Sequence, residues 1–244
     1  MMRILVISDI HANYTALEAV LNDAGPVDET WCLGDLIGYG PDPNAVVEKI
    51  RDLPQLTCLL GNHDVAVIGK MPFEVFNGDA RRSLYWQEKV LSADNLAFLR
   101  SLPQTTKVRG EVTLSHGGPR DPLWEYVLNT LSARLNFDHF DTPWCFLGHS
   151  HIQSLFRLNE TNHRVTLELA RPGETIPLTP RLILNPGSVG QPRDRDPRAA
   201  YAIYDSEAKT WEPRRVAYNI AEVQERIRAA GLPEKHAIRL AEGW

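Results

Sequence analysis

The sequence predicts an α/β fold in which two sheets pack together and helices lie outside them. Three observations carry this expectation. Strand-like and helix-like segments alternate between Arg3 and Leu60. Strand patterns then dominate the chain beyond Trp144. Clusters of Gly, Asp, His and Asn also recur directly after the apolar runs, where open α/β sheets gather their ligand sites.

In chain order, Arg3 to Ile7 is a short apolar run and reads as a buried strand. Asn13 is placed to cap a helix carrying Leu17, Val20 and Leu21 on one face. Thr30 to Leu33 is a second strand. Asp42-Pro43 starts a helix with Val46, Val47 and Ile50 as its stripe, and Thr57 to Leu60 is a third strand. The βαβαβ order implies parallel strands joined by right-handed crossovers.

Helical spacing follows over Asp79 to Leu91 and Ser92 to Leu102, closed by Pro103. Val108 to Val112 reads as a hairpin turn, Leu131 to Phe137 as a helix, and Trp144 to Leu147 as a strand. Gln153 to Leu158 and Arg164 to Leu169 are expected to pair across Asn159 to Asn162. Arg181 to Leu184, Ala199 to Tyr204 and Trp211 to Ala217 are further strands, and Ala221 to Ala230 is a terminal helix. With no repeat and no low-complexity linker, residues 1–244 read as one domain, with 221–244 as a helical C-terminal appendage. That appendage is placed either to cover an edge or to support a homo-oligomer.

The chain has 244 residues, is 43% hydrophobic and 23% charged, and carries 26 Lys and Arg against 31 Asp and Glu, a formal charge of −5. This is a globular composition, not a disordered one. The negative balance argues against an extended nucleic-acid-binding surface but leaves a nucleotide open as substrate. No apolar run approaches the roughly 20 residues of a membrane helix, and Ile4 to Ile7 is too short for a signal-peptide core. The three cysteines, Cys32, Cys58 and Cys145, sit in apolar runs without a CxxC pair. They read as small buried residues of a reducing, cytoplasmic compartment.

Five motifs follow predicted strands: Asp9-Ile10-His11, Gly34-Asp35, Gly61-Asn62-His63-Asp64, His116 before two glycines, and Gly148-His149-Ser150-His151. Asp, His and Asn are donors suited to Mn, Fe, Zn, Ni or Co. If these segments stay extended, alternate residues share a side, so Asp9 would converge with His11 and His149 with His151. Any one motif alone is better explained by helix capping or a hydrogen-bonded structural histidine. Their recurrence at five strand ends is not.

In this order and at these strand ends the motifs resemble the calcineurin-like metallophosphoesterases. The resemblance runs from Asp9 to His151, and Asn185 to Gly190 resembles that family's recurrent loop beyond the ligands. It implies a four-layer α/β/β/α sandwich with two central mixed sheets and two divalent metal ions, their identity (Mn, Fe, Zn or Ni) left open. Carried over, one ion takes Asp9, His11, Asp35 and His151. The other takes Asp35, Asn62, His116 and His149, with Asp35 bridging. The implied reaction is phosphodiester hydrolysis of a small or nucleotide substrate by in-line attack of a metal-bridging hydroxide. His63 would stand near the leaving-group oxygen, as proton donor or hydrogen-bond donor, or only orient Asn62 or Asp35.

The departures are specific. Where the family's protein phosphatases carry G-D-x-x-D-R-G, this chain reads Gly34-Asp35-Leu36-Ile37-Gly38-Tyr39-Gly40. Gly38 replaces the acid that pairs with the catalytic histidine, and Tyr39 replaces a phosphate-binding arginine. Protein phosphatase activity is disfavoured, as is a close match to bacterial diadenosine tetraphosphatases. Arg193 is the candidate replacement cation, ahead of Arg195 and Arg198, although the charge alternation around it also fits a self-paired surface loop. Trp124 and Tyr126 are placed either to stack on a base or, the plainer reading, to pack in the core or as a lid; Tyr39 is a rim or packing residue. His139, His163 and His236 match no motif and read as surface or structural. The near alternative to a phosphodiesterase is a phosphomonoesterase on small metabolites. A metal-containing protein-binding scaffold is the more distant one, and the intact ligand set counts against it.

Overall fold

The computed structural model describes residues 2–169 and 171–244. The first strands and helices fall where the apolar periodicity places them: β1 (Arg3–Ile7), α1 (Tyr14–Ala24), β2 (Glu29–Cys32), α2 (Pro43–Arg51) and β3 (Leu56–Cys58); a short α3 (Asn62–Val67), which the periodicity does not announce, follows. Next come α4 (Gly78–Val90), α5 (Ala93–Ser101), β4 (Thr105–Val108), β5 (Val112–Ser115), α6 (Thr130–Asn136) and β6 (Trp144–Leu147). The remainder comprises β7 (Gln153–Leu158), β8 (Val165–Leu169), β9 (Ile176–Pro177), β10 (Leu182–Pro186), β11 (Ala199–Asp205), β12 (Thr210–Val216), α7 (Ile220–Ala229) and α8 (Glu234–Glu242).

The strands form two six-stranded sheets, ordered β3-β2-β1-β11-β12-β9 and β4-β5-β6-β10-β7-β8. Both are mixed. In the first, β1, β2 and β3 run parallel and β11 is antiparallel to β1. In the second, β5, β6 and β10 run parallel between antiparallel outer strands. Strand alternation sorts the core into layers. Ile4, Val6, Trp31, Phe146, Leu184 and Tyr204 fill the space between the sheets. Leu5 and Ile7 point the other way, onto Leu17 and Val20 of α1 and Val46, Val47 and Ile50 of α2. Ala133 of α6 and Phe137 cover the far side of the second sheet over Cys145, Phe156 and Ile183. The result is the four-layer α/β/β/α sandwich.

Local chemistry explains the helix starts. Asn13, Asn77, Ser92, Asn129 and Asn219 each accept a backbone N–H of the first turn. Asp42 behaves differently: it precedes α2 with Pro43 at the first position but makes no side-chain cap. Its carboxylate is bound by Arg226 of α7 at 2.9 Å, a long-range partner that the local pattern cannot reveal. The helical C-terminal appendage contains a second helix, α8, beyond the one read over Ala221 to Ala230. It packs with α7 around Val223, Ile227, Leu232, Ala237 and Leu240, against Trp86 of α4. All three cysteines are buried and unpaired. Among the described residues no helix is long and apolar enough to cross a membrane.

Candidate metal centre

The loops after β1, β2, β3, β5 and β6 meet at one edge of the sandwich. They are stitched by their backbones: Asp9 N–H donates to Gly34 O at 3.0 Å, His11 N–H to Asp35 O at 3.0 Å, and Gly148 N–H to His116 O at 2.8 Å. The expectation of extended segments does not hold. Asp9, His11, Asp35, His149 and His151 have φ of 53°, 50°, 53°, 64° and 60°, all in the left-handed region that non-glycine residues avoid. Pleat alternation therefore does not make the pairs converge. Tight turns do, held by the bonds between loops, and the strain is concentrated on the side chains that meet.

Those side chains all meet. His11 Nε2 lies 3.1 Å from His151 Nε2, and His151 Nε2 lies 3.2 Å from Asp9 Oδ1. On the other side, His116 Nε2 is 3.2 Å from both Asn62 Oδ1 and His149 Nδ1. Asp35 stands between the two groups. Its Oδ1 accepts from His63 N–H at 2.9 Å, while Oδ2 faces His11 Nε2 at 3.6 Å and His116 Nε2 at 3.4 Å. Asp9, His11, Asp35, Asn62, His116, His149 and His151 are all buried.

The donor set fits metal cations. His11, His116 and His151 each place Nδ1 against a backbone carbonyl, of Ile37, Leu33 and Gln191, at 2.9, 2.9 and 2.5 Å. With Nδ1–H donating there, Nε2 presents a lone pair to the cluster. His11 and His151 then face each other lone pair to lone pair at 3.1 Å, an arrangement that a cation between them stabilises. Asp9 Oδ2 accepts from His149 N–H at 2.9 Å, but Oδ1 is buried with no hydrogen-bond partner. No Lys or Arg among the described residues pairs with Asp9 or Asp35. Burial works to raise both carboxyls, but His151 beside Asp9 and His116 beside Asp35 hold them well below the usual carboxylate range. Burial pushes His149 down to about 3 and His11 well below its ordinary value. Against its own burial, His116 is pushed up to about 9 by Asp35 and Asp9, so its Nε2 carries a proton that a bound cation would displace, and the cluster draws in positive charge. Three sets of buried donors can each grip an ion: Asp9, His11 and His151; His11, Asp35 and His63; and Asp35, His116 and His149.

His63 lies above this floor. Its ring packs on His11, Tyr39 and Phe76 at 5.0, 4.6 and 4.8 Å. Its Nδ1 is buried without a partner, and burial pushes the ring down to about 4. The reason lies at Gly38, where φ is +96° and a Cβ would stand 2.3 Å from that Nδ1. The ring occupies the space an acidic side chain would need. Gly61 is equally constrained, since its Cβ would fall 2.0 Å from Asp35 Oδ1.

A cavity of about 130 Å³ opens over Asp35, Asn62, His63, His149 and His151. Its wall includes Arg193, Tyr39, Phe76, Trp124 and Tyr126. Arg193 donates to Tyr39 Oη at 3.3 Å and Gln191 Oε1 at 3.1 Å. Tyr39 is buried between the rings of His11 and His63, so it packs rather than forming a rim. Trp124 packs on Phe76 at 5.2 Å, and Tyr126 stacks on His149 at 4.0 Å. Of the other loop cations, Arg198 is exposed and paired with Asp196, Arg195 is exposed, and Asp194 is bound by Arg215. The alternating charges are thus largely self-paired, with Arg193 turned to the cavity. His139 and His163 are exposed, whereas His236 is a buried structural residue whose ring meets Tyr39 at 5.0 Å.

Sequence reasoning missed three supports. Asp64 accepts N–H bonds from Gly61, Leu36 and Ile37 at 2.9, 3.3 and 3.2 Å, locking two ligand loops together. It sits inside a motif already singled out, so its position was a usable signal. Gln87 accepts from Gly38 N–H at 2.6 Å and donates to Gly40 O at 2.8 Å, and Phe76 covers His63; neither carries a local signature.

A sandwich with such a cluster at its strand ends defines a metal-dependent phosphoesterase class. The chain belongs to the calcineurin-like phosphoesterase superfamily, whose domain model matches residues 2–209. It is 48% identical to a metallophosphoesterase from Sphaerobacter thermophilus, whose crystal structure superposes with a TM-score of 0.91 over 100% of this chain and 99% of that one. It is also 39% identical over 246 residues to an uncharacterised protein of Methanocaldococcus jannaschii, covering 98% of each. Similarity to the symmetrical bis(5'-nucleosyl)-tetraphosphatase of Buchnera aphidicola is 30% over 134 residues, 51% of this chain and 47% of that protein.

Proposed function

We propose that the protein is a dinuclear-metal phosphoesterase hydrolysing phosphodiesters of small or nucleotide substrates. The observation that carries this reading is the position of Asp35 Oδ2 between two buried groups of acceptors, each short of positive charge. Asp9, His11, Asp35 and His151 would hold one ion, and Asp35, Asn62, His116 and His149 the other. Such a pair, when bound, supplies a hydroxide nucleophile and neutralises phosphate oxygens.

The chain's own residues do the rest. Carbonyl-anchored Nδ1–H groups hold the histidines in the ligating tautomer, and Asp64 keeps the Asp35 and Asn62 loops in register. Burial outweighs the pull of Asp35 on His63 and pushes its ring down to about 4, which supports a role for it at neutral pH as a neutral hydrogen-bond donor toward the leaving oxygen. Arg193 lies against Tyr39, the residue standing where relatives carry a phosphate-binding arginine. Its guanidinium centre is 5.8 Å from that ring's centroid, placed to receive a phosphate oxygen.

The test is hydrolysis of bis(p-nitrophenyl) phosphate beside p-nitrophenyl phosphate by metal-loaded protein. Diester turnover abolished in Asp35→Ala supports the proposal. Turnover of the monoester alone would replace it with the monoesterase reading. Silence on both, in protein holding its metals, would sink the general-esterase reading and leave a narrow substrate specificity or a binding role.

A further inference from the structure

The two sheets end in four strands, β3 and β9 in the first and β4 and β8 in the second. A terminal strand leaves one row of backbone N–H and C=O groups without a ladder partner. Proteins blunt such edges with short strands, proline, lysine or a covering segment. Three of these four edges are blunted in that way. β3 has three residues, and its extension at Leu60 is covered, the N–H donating to Pro103 O at 2.8 Å. β9 has two residues, one of them Pro177. β4 carries Lys107, which pairs with Asp141. β8 differs. It reads Val165-Thr166-Leu167-Glu168-Leu169, without lysine or proline, and no strand lies beyond it among the described residues.

The turn before β8 fixes which of its groups are free. Asn159 N–H donates to Arg164 O at 2.9 Å, while Leu158 N–H turns the other way, to Arg181 O at 3.1 Å. Arg157 stands opposite Thr166 and Leu155 opposite Glu168. Alternation therefore directs the backbone of Arg164, Thr166 and Glu168 into β7, and that of Val165, Leu167 and Leu169 outward. The side chains of these last three share one face of the sheet, where Val165 is buried in the core with Ala133 of α6. Further along that face, Leu167 and Leu169 are 40% and 71% exposed. Beside them Leu131 and Leu135, one turn apart on α6, are 69% and 40% exposed. A groove of about 590 Å³ between α6 and β8 is lined by Leu131 and Leu167. An apolar stripe thus adjoins a free backbone edge.

We propose that two copies of this chain associate through β8, pairing antiparallel about a two-fold axis at Thr166 and joining their second sheets into one. The charges of the strand are self-complementary in this register. Arg164 lies opposite Glu168 of the partner subunit, and Glu168 opposite the partner's Arg164; both residues are exposed. Opposite charges directly across an antiparallel pair stabilise it, and the symmetry forms the pair twice. Glu168 Oε1 meets Arg157 of its own chain at 3.4 Å, which leaves Oε2 to face the second arginine. On the other face Val165 and Leu167 meet the partner's Leu167 and Val165, and their outward backbone groups supply the ladder bonds. Moving the axis to Leu167 would set Thr166 against Glu168 and lose both charge pairs.

The experiment is sedimentation of the full chain at micromolar concentration, for the parent, Glu168→Arg, and the exchanged Arg164→Glu/Glu168→Arg chain. The proposal expects twice the chain mass for the parent, a dimer dissociation constant raised at least about tenfold in Glu168→Arg, and recovery in the exchanged chain. Thr166→Cys should also form a disulfide between chains under oxidised glutathione. Opposed Cα atoms of a non-hydrogen-bonded antiparallel pair stand about 4.5 Å apart, within disulfide reach. The native cysteines are all buried, and Thr161→Cys, in the exposed turn, serves as control. A parent that sediments as a single chain overturns the proposal, and so does a dimer unchanged by Glu168→Arg. A Thr166→Cys chain that cross-links no faster than Thr161→Cys overturns it as well. If Glu168→Arg proves unfolded, Arg164→Glu decides: a weakened dimer supports the interface, and an unchanged one overturns it.

Discussion

The floor of the cavity and its wall are built on different principles. The floor is made of Asp9, His11, Asp35, Asn62, His116, His149 and His151, each within four residues of a strand end and pinned by backbone hydrogen bonds between loops. Its polar atoms face one another, so their arrangement makes sense only with cations among them. The wall is made of Tyr39, Phe76, Trp124, Tyr126 and Arg193, drawn from separate loops, with α8 behind them, and held by ring packing. On the proposed function, the contrast separates chemistry from selectivity: strand ends fix the donors, and side-chain packing shapes the cavity above them.

Substitutions in the floor should have the largest effects. Asp35→Ala removes the acceptor shared by both groups, and phosphodiester turnover is expected to fall by at least about 10³-fold in steady-state assays. Retention of a tenth of the activity would break the distinction between a shared and a peripheral donor. His63 sits where floor and wall meet. His63→Ala should lower kcat by about 10²-fold while metal content by elemental analysis stays at the parent level. Loss of metal instead would move His63 into the floor.

Gly38→Asp tests the wall from the other direction, by restoring the acid found in the protein phosphatases. Because the new Cβ would stand 2.3 Å from His63 Nδ1, at a φ of +96°, no productive pair can form. Calorimetry should show Tm lowered by roughly 5 °C with no gain in rate.

The smallest effect concerns His236, beneath Tyr39. Burial pushes it down to about 4, so the folded state keeps it neutral while the unfolded chain takes up a proton near 6.5. Its contribution to stability is present above about pH 6.5 and is lost as pH falls toward 4. The pH dependence of Tm between those values should be shallower in His236→Gln than in the parent.

The floor was legible in the sequence because its geometry is local. A donor placed just after a strand, with glycines where loops touch, is a pattern written along the chain, and its resemblance to the calcineurin-like metallophosphoesterases implied the proposed ligand set and the sandwich. Even there the means of convergence was misread, since five left-handed residues replace the expected extended segments. The wall was less legible for a physical reason. Trp124 and Tyr126 could be noticed by composition, but Phe76 meets His63 and His236 meets Tyr39 only through long-range packing that leaves no periodic trace. The helical character of 221–244 was legible but the separate start of α8 was not, because a proline cap without side-chain bonding gives a weak start signal.

The central claim is that Asp35 joins two ions in one centre. It is tested most directly by the metal stoichiometry of the purified chain, set beside that of Asp35→Ala, after loading with Mn and removal of free ions. The account predicts about two ions per parent chain and loss of tight binding at both positions in the variant. A parent chain that holds a single ion, or a variant that keeps two, would contradict it.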